Sequence, residues 1–324
     1  MTSAPKLVPE NAAPPGGTAP VFLVGARRSG TTLMRVMLNA HPEILFFNRW
    51  EEAADAIAAL PDASEGLHSL KGLEPFRAAD VASFAQAASE RIAQARAAAA
   101  RPLFGATCHI GFLELLKVWP DARFVHLIRD PRDVAISFRS LGWSAHPFCA
   151  ASAWETAERD WERLCELTQA EQRFDLRYED LVARPEAELQ RLCRFLGLAY
   201  TDKMFDYTET TSYSYPKKEL AERWRGKLSE RECMWIESSV AEFLEARGYA
   251  PSVPARRFGG GARAWFALQD WFGVRSRRVK SRGLGRVLLG RLVRSFGSHA
   301  MKQRFEAAEQ SRHEAHVKSL EKRY

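Results

Sequence analysis

Arg27, Arg28, Ser29, Gly30, Thr31 and Thr32 stand in unbroken order, two cations followed by three hydroxyls around one glycine. These side chains share one competence, the gripping of an oxyanion. A guanidinium meets phosphate or sulfate through two parallel donors, and each hydroxyl adds another. The surrounding chain reads as a frame for that chemistry. Residues 21–24, Val-Phe-Leu-Val, have the pattern of a short buried strand; Gly25 starts a tight loop; Leu33, Val36 and Met37 begin an apolar-periodic helix. Strand, loop and helix N-terminus in that order aim backbone N–H groups and a helix dipole at one spot.

Gly25 and Gly30 have the spacing of a nucleoside-triphosphate loop, G-x-x-x-x-G-K-[ST], but Thr31 stands where the lysine belongs. Without that cation nothing reaches the terminal phosphates of ATP or GTP. The positive charge sits inside the loop instead, which suits a phosphate or sulfate group better than a magnesium-bound triphosphate. Further strands are read at 44–47, 103–107, 123–128 and 173–178, and helices at 51–60, 78–100, 112–119, 134–141, 150–170, 189–196 and 230–246. Residues 61–75 read as a loop that forms part of a substrate mouth. Strands alternating with helices imply an α/β fold, a P-loop-like parallel sheet flanked by helices. Ligands of such sheets bind at the carboxyl ends of the strands, which here present the Gly25–Gly30 loop, Cys108 and His109, Arg129, and Tyr178.

The chain has 324 residues, 46% of them hydrophobic and 27% charged, enough for one large domain with an extension. We expect a disordered leader over 1–18, a main domain over 19–252 and a basic helical extension over 253–324. No run of eighteen apolar residues exists, and 1–20 has no signal-peptide core, so neither a spanning helix nor secretion is expected. Five cysteines, an odd and scattered set without a C-x-x-C pair, favour reduced thiols in a cytoplasm and argue against a disulfide framework or a metal site. Charge is unevenly placed. Residues 255–324 carry 17 Lys/Arg against 5 Asp/Glu, a net of +12 in a chain of +7, which leaves −5 for residues 1–254. In that tail Trp265, Phe266, Trp271 and Phe272 precede a basic run at 275–280, and 284–296 alternates apolar residues with arginines. The pattern fits peripheral contact with an anionic membrane, or packing on the main domain or a second subunit. Residues 301–324 read as a charged helix, and no nucleic-acid partner is expected.

Three segments together resemble the sulfotransferase family that uses 3′-phosphoadenosine 5′-phosphosulfate (PAPS). Arg28-Ser29-Gly30-Thr31-Thr32 matches its first motif. Arg129-Asp130-Pro131-Arg132-Asp133 through Ser137 matches its second, and Tyr178-Glu179-Asp180-Leu181 a further frequent segment. The wording after Thr32 is closest to the protein-tyrosine and bacterial branches. The resemblance implies that Arg27, Arg28, Ser29, Gly30, Thr31 and Thr32 hold the 5′-phosphosulfate. It implies further that Arg129 and Ser137 hold the 3′-phosphate and that Tyr178 approaches the adenine. Arg223-Trp224-Arg225-Gly226-Lys227 resembles the basic segment that folds over the cofactor, with Arg225 and Lys227 as its cations.

The implied activity is in-line transfer of a sulfuryl group to a hydroxyl or amine, with no metal. Arg28 and Thr31 would stabilise the leaving phosphate, and a base would take the acceptor's proton. His109 leads for that role, although Thr107 and Cys108 replace the lysine and threonine of the family's K-T-H segment. Glu51 or Glu52 is the rival, since Asn48 and Arg49 occupy the positions of the protein-tyrosine branch's glutamate. Two other readings stand beside this one: a P-loop kinase or ATPase, and a non-catalytic binding protein whose basic tail carries the function. The acceptor, whether small molecule, glycan, lipid or peptide, is not legible in the sequence.

Overall fold

The structure is a computed structural model that describes residues 19–60, 66–254 and 256–282, with positions 293, 295, 301 and 308. The expected leader over 1–18, the amphipathic segment over 284–296 and the helix over 301–324 fall outside the described residues, apart from those last positions. In chain order the elements begin with β1 (Val21–Val24), α1 (Thr31–Ala40), β2 (Ile44–Phe47), α2 (Glu51–Ala59), β3 (Gly66–His68) and β4 (Phe76–Ala78). Then come α3 (Val81–Ala99), β5 (Leu103–Thr107), β6 (Arg123–Ile128), α4 (Pro131–Ser140), α5 (Pro147–Ala150) and α6 (Ser152–Leu167). The chain continues with β7 (Arg173–Arg177), α7 (Tyr178–Ala183), α8 (Pro185–Leu196) and α9 (Tyr207–Thr210). It ends with α10 (Glu230–Ser239), α11 (Ala241–Leu244) and α12 (Gly260–Arg282). Two compact units result, one from Met1–Asp130 with Ala153–Arg223, the other from Pro131–Ser152 with Trp224–Tyr324.

In the first unit five parallel strands pair in the order β2-β5-β1-β6-β7. All four residues of β1 are buried, as a central strand covered on both faces requires. Its side chains alternate between two cores. Phe22 and Val24 join Trp50, Phe84, Phe104, Phe124 and Trp161 on one face, under α2, α3 and α6. Val21 and Leu23 join Met34, Met37, Val125, Leu176, Leu181 and Leu189 on the other, under α1, α7 and α8. Asp80 starts α3 through a capping box, its Oδ1 accepting the Ser83 N–H at 2.8 Å. Gly197 ends α8 in the left-handed region.

Several boundaries differ from the sequence reading. Within 61–75, read as loop, residues 66–68 form β3 and pair antiparallel with β4, because Phe76 and Ala78 point inward while Arg77 points out. Three residues of alternation are too few to read in advance. The helix expected over 150–170 is divided, since Pro147 starts α5 early and α6 begins anew at Ser152. The one expected over 230–246 breaks at Val240, which is buried and leaves helical angles at φ −117° and ψ 15°. Tyr178 does not end β7 but opens α7.

The second unit is helical. Arg132, 3% exposed, donates to Glu237 Oε1 at 2.8 Å and to the Ala250 carbonyl at 3.2 Å, which ties α4 to α10. The Asp270 carboxylate ties α12 to the turn before α5, accepting from the Ser144 hydroxyl at 2.6 Å and from the N–H groups of Ala145 and His146.

Candidate active site

The site is built at the carboxyl rim of the first unit's sheet, where β1 lies between β5 and β6 and the crossovers diverge to either side. Gly25 leaves β1 at φ 135°, and a Cβ there would collide with the Leu127 carbonyl of β6. Arg28 holds a left-handed φ of 78°, unusual for a residue with a Cβ, and Gly30 follows at φ 99° as the N-cap of α1. Ser29 donates its N–H to the Ala26 carbonyl at 3.1 Å, which closes the loop. Its hydroxyl is wholly buried and has no hydrogen-bond partner among the described residues. A buried donor left unmade is costly, so this one points to a ligand oxygen.

Arg129 follows β6, the strand paired with β1, and the Tyr178 ring joins the two places. A Cβ at Gly30 would run into that ring, and the Arg129 guanidinium carbon lies 4.1 Å from its centroid. Arg129 also donates to the Leu220 carbonyl at 2.9 Å, while its own carbonyl accepts the Trp154 indole N–H at 2.8 Å. Glu179 accepts the Asp130 N–H at 2.9 Å, which fixes the turn after β6 against α7. The phosphate loop and the Arg129 turn are therefore two walls of one rim.

His109 stands on the other side of β1, just past β5. Its Nδ1 lies 3.0 Å from the Gly25 carbonyl, which can only accept, so Nδ1 carries the proton and Nε2 keeps its lone pair. Burial holds its pKa below the usual imidazole value. The Gly25 carbonyl and Glu51 pull it up, and Arg27 and Arg49 push it down. Glu51 opens α2 and pairs with Arg27 at 3.5 Å. The Thr107 hydroxyl, two residues before this histidine along the chain, is buried with no partner among the described residues. A neutral imidazole with a free lone pair beside an oxyanion cradle is equipped to take a proton from a group attacking the bound anion.

The profile of the sulfotransferase family matches residues 20–202, more than half of the chain. The chain belongs to this family. Among its relatives, protein-tyrosine sulfotransferase 1 of Danio rerio is 28% identical over 205 residues, covering 58% of this chain and 56% of the relative. The omega-hydroxy-beta-dihydromenaquinone-9 sulfotransferase of Mycobacterium tuberculosis is 30% identical over 143 residues, 36% of this chain and 37% of that protein. The chain thus spans about half the length of the first and a little over a third of the second. Of solved structures, the sulfotransferase domain from the curacin biosynthetic pathway superposes with a TM-score of 0.51 at 15% identity, covering 72% of this chain and 98% of that one. That likeness concerns the fold alone.

Of the residues singled out in the sequence, the first unit brings together Arg27, Arg28, Ser29, Gly30, Thr31, Thr32, Glu51, His109, Arg129 and Tyr178. Ser137, on α4, and Arg225 and Lys227, near the start of α10, belong to the second unit. There the Trp224 ring carries Arg132 at 3.8 Å and Arg225 at 4.5 Å, and the Trp224 N–H donates to Asp133 at 2.8 Å. The positioning roles of Trp154, Leu220 and Glu179 toward the Arg129 turn escaped the sequence reading. Glu179 lies inside a segment already quoted, so its acidic side chain was a usable signal; Trp154 and Leu220 act across 25 and 91 residues of chain and offered none.

Proposed function

We propose that this sulfotransferase moves a sulfuryl group from PAPS to a hydroxyl or amine acceptor. The observation that carries the reading is the Gly30–Tyr178–Arg129 junction. It sets an anion cradle and a second arginine against one aromatic ring, which supports a nucleotide with two separated anionic groups. The buried Ser29 hydroxyl without a partner fits the same group. Arg28, Ser29, Gly30, Thr31 and Thr32 hold the 5′-phosphosulfate, Arg129 receives the 3′-phosphate and Tyr178 approaches the adenine. When bound, the cofactor supplies an activated sulfur whose bond to the bridging oxygen breaks as the acceptor's oxygen or nitrogen bonds to it.

The chain's own residues do the rest. His109 Nε2 takes the acceptor's proton; the Gly25 carbonyl keeps the ring in the tautomer that allows this. Arg28 and the Thr31 hydroxyl meet the negative charge that grows on the departing phosphate. Glu51, engaged with Arg27, orients that loop cation. For the residues of the second unit, the family resemblance supports Ser137 as a 3′-phosphate ligand and Arg225 and Lys227 as cations of a covering segment. None of the five cysteines is joined in a disulfide, which supports a reducing compartment, the cytoplasm.

Thermal unfolding with 3′-phosphoadenosine 5′-phosphate (PAP), compared with ATP plus magnesium, tests the reading. Stabilisation by PAP alone is expected, and stabilisation by ATP–magnesium alone would overturn it in favour of a kinase or ATPase. Labelled PAPS with fractionated acceptor extracts then identifies the acceptor class.

A further inference from the structure

Helix α12 turns its aromatic side outward. One stripe, Phe266, Asp270, Gly273 and Arg277, holds the helix to the rest of the second unit. Phe266 is 8% exposed and stacks on His146 at 4.5 Å. Asp270 caps the turn at Ser144–His146, a Cβ at Gly273 would run into Ala145, and Arg277 donates to the Arg139 carbonyl at 2.7 Å. At helical spacing the opposite stripe is Trp265, Leu268, Trp271, Phe272 and Arg275. Its four apolar side chains are 56%, 45%, 50% and 59% exposed. A globular helix buries its apolar stripe; here Phe266 with polar and small residues makes the internal contacts, and four large apolar groups meet solvent side by side.

Charge decides what such a face fits. The Arg275 guanidinium lies 3.9 Å over the Trp271 ring within the stripe. Between 255 and 305 the one acidic residue is Asp270, and its carboxylate is turned inward as a cap. Beside Trp265 opens a cavity of about 320 Å³ whose walls include Arg231 and Arg256 together with Trp235 and Phe258. A second copy of this chain would set cation against cation. An anionic bilayer satisfies both halves of the surface, with aromatic rings at headgroup depth and guanidinium groups on lipid phosphate. No described helix is long and apolar enough to cross a membrane.

We propose that the outward stripe of α12 seats this protein peripherally on an anionic membrane surface, Trp265, Trp271 and Phe272 entering the interface and Arg275 meeting phosphate. The inference stands apart from the chemistry of the first unit.

Co-sedimentation of the full chain with vesicles tests it, using phosphatidylcholine alone and a phosphatidylcholine–phosphatidylglycerol mixture. Wild type is expected on the mixed vesicles and not on the neutral ones. The Trp265→Ala/Trp271→Ala/Phe272→Ala variant keeps every charge and alters only exposed side chains. Its partitioning should fall by about tenfold or more, since interfacial binding follows the apolar area inserted, with the urea midpoint unchanged. Full binding by that variant would reduce the effect to the tail's charge and overturn the proposal. Absence of binding to either vesicle would do the same. So would a lipid-free wild-type dimer that the variant dissolves, because the face would then belong to a second copy.

Discussion

His109 and His126 flank the same central strand, and their surroundings give them different charge states, neutral for the first and cationic for the second. His109, past the end of β5, has a backbone carbonyl on Nδ1, and burial keeps its pKa low. His126, within β6, stacks on Trp161 at 4.4 Å with both nitrogens engaged, Nδ1 by Asp175 at 2.8 Å and Nε2 by Glu158 at 3.3 Å. Burial would pull its pKa down too, but the Glu158 and Asp175 carboxylates outweigh it and raise the value to about 9. Burial alone therefore does not set the charge of a histidine; the partner does. A carbonyl fixes a tautomer and leaves a lone pair, whereas two carboxylates fix a cation and leave nothing for chemistry.

The largest expected effect breaks the rim side of that contrast. His109→Ala should lower kcat about 10²- to 10⁴-fold, the usual range for a lost general base, and leave PAP affinity within about twofold. A comparable loss of PAP affinity would make His109 a nucleotide ligand and return the base to Glu51 or Glu52. In wild type, kcat should fall on the acid side, below the ordinary histidine pKa, because the neutral ring is the active form and burial lowers its pKa. Next in size is Glu158→Gln, which leaves a buried imidazolium short of its carboxylate and should cost about 3 kcal/mol in urea unfolding. PAP affinity should not change. A loss below about 1 kcal/mol would mean that His126 is neutral in the folded protein.

The two histidines also show how far the sequence speaks. The strand at 21–24, the glycine loop and the two arginine motifs are local patterns, and the parallel sheet follows from their alternation with helices. His126 lies inside a strand that the pattern at 123–128 shows, but nothing local announced its charge. Its partners come from Glu158 on α6 and Asp175 on β7, 32 and 49 residues away. Likewise the Tyr178 ring between Gly30 and Arg129 is a tertiary fact, invisible in three separate segments. The antiparallel pair at 66–68 and 76–78 and the break at Val240 were missed because each rests on packing, with too few residues to show a period.

A pH titration of stability sharpens the contrast without any mutation. The folded pKa of His126 is raised to about 9 from the unfolded value of 6.5, so its contribution is complete below 6.5 and is lost as pH rises through 9. The slope in that window should reach about 1.4 kcal/mol per pH unit for one proton. Glu158→Gln should flatten it. An unchanged slope in that variant would assign the titration to another group.

The smallest effect extends the contrast from charged groups to a hydroxyl. Buried Ser29 Oγ has no partner among the described residues, so its desolvation is uncompensated in the ligand-free protein. Ser29→Ala removes that penalty and should leave ligand-free stability unchanged or raise it by up to about 1 kcal/mol. In the presence of PAP the sign reverses, because the hydroxyl then makes its bond to a phosphate oxygen and its loss should weaken affinity by about 1 kcal/mol. Thr107→Val carries the same structural relief at the neighbouring strand end, where the Thr107 hydroxyl is also buried and unmatched. Calorimetric unfolding with and without PAP reads both terms in one experiment. If Ser29→Ala weakened the protein equally in both conditions, the hydroxyl would be serving the loop's own fold, and the cradle would have to hold its anion through backbone N–H groups and Arg28 instead.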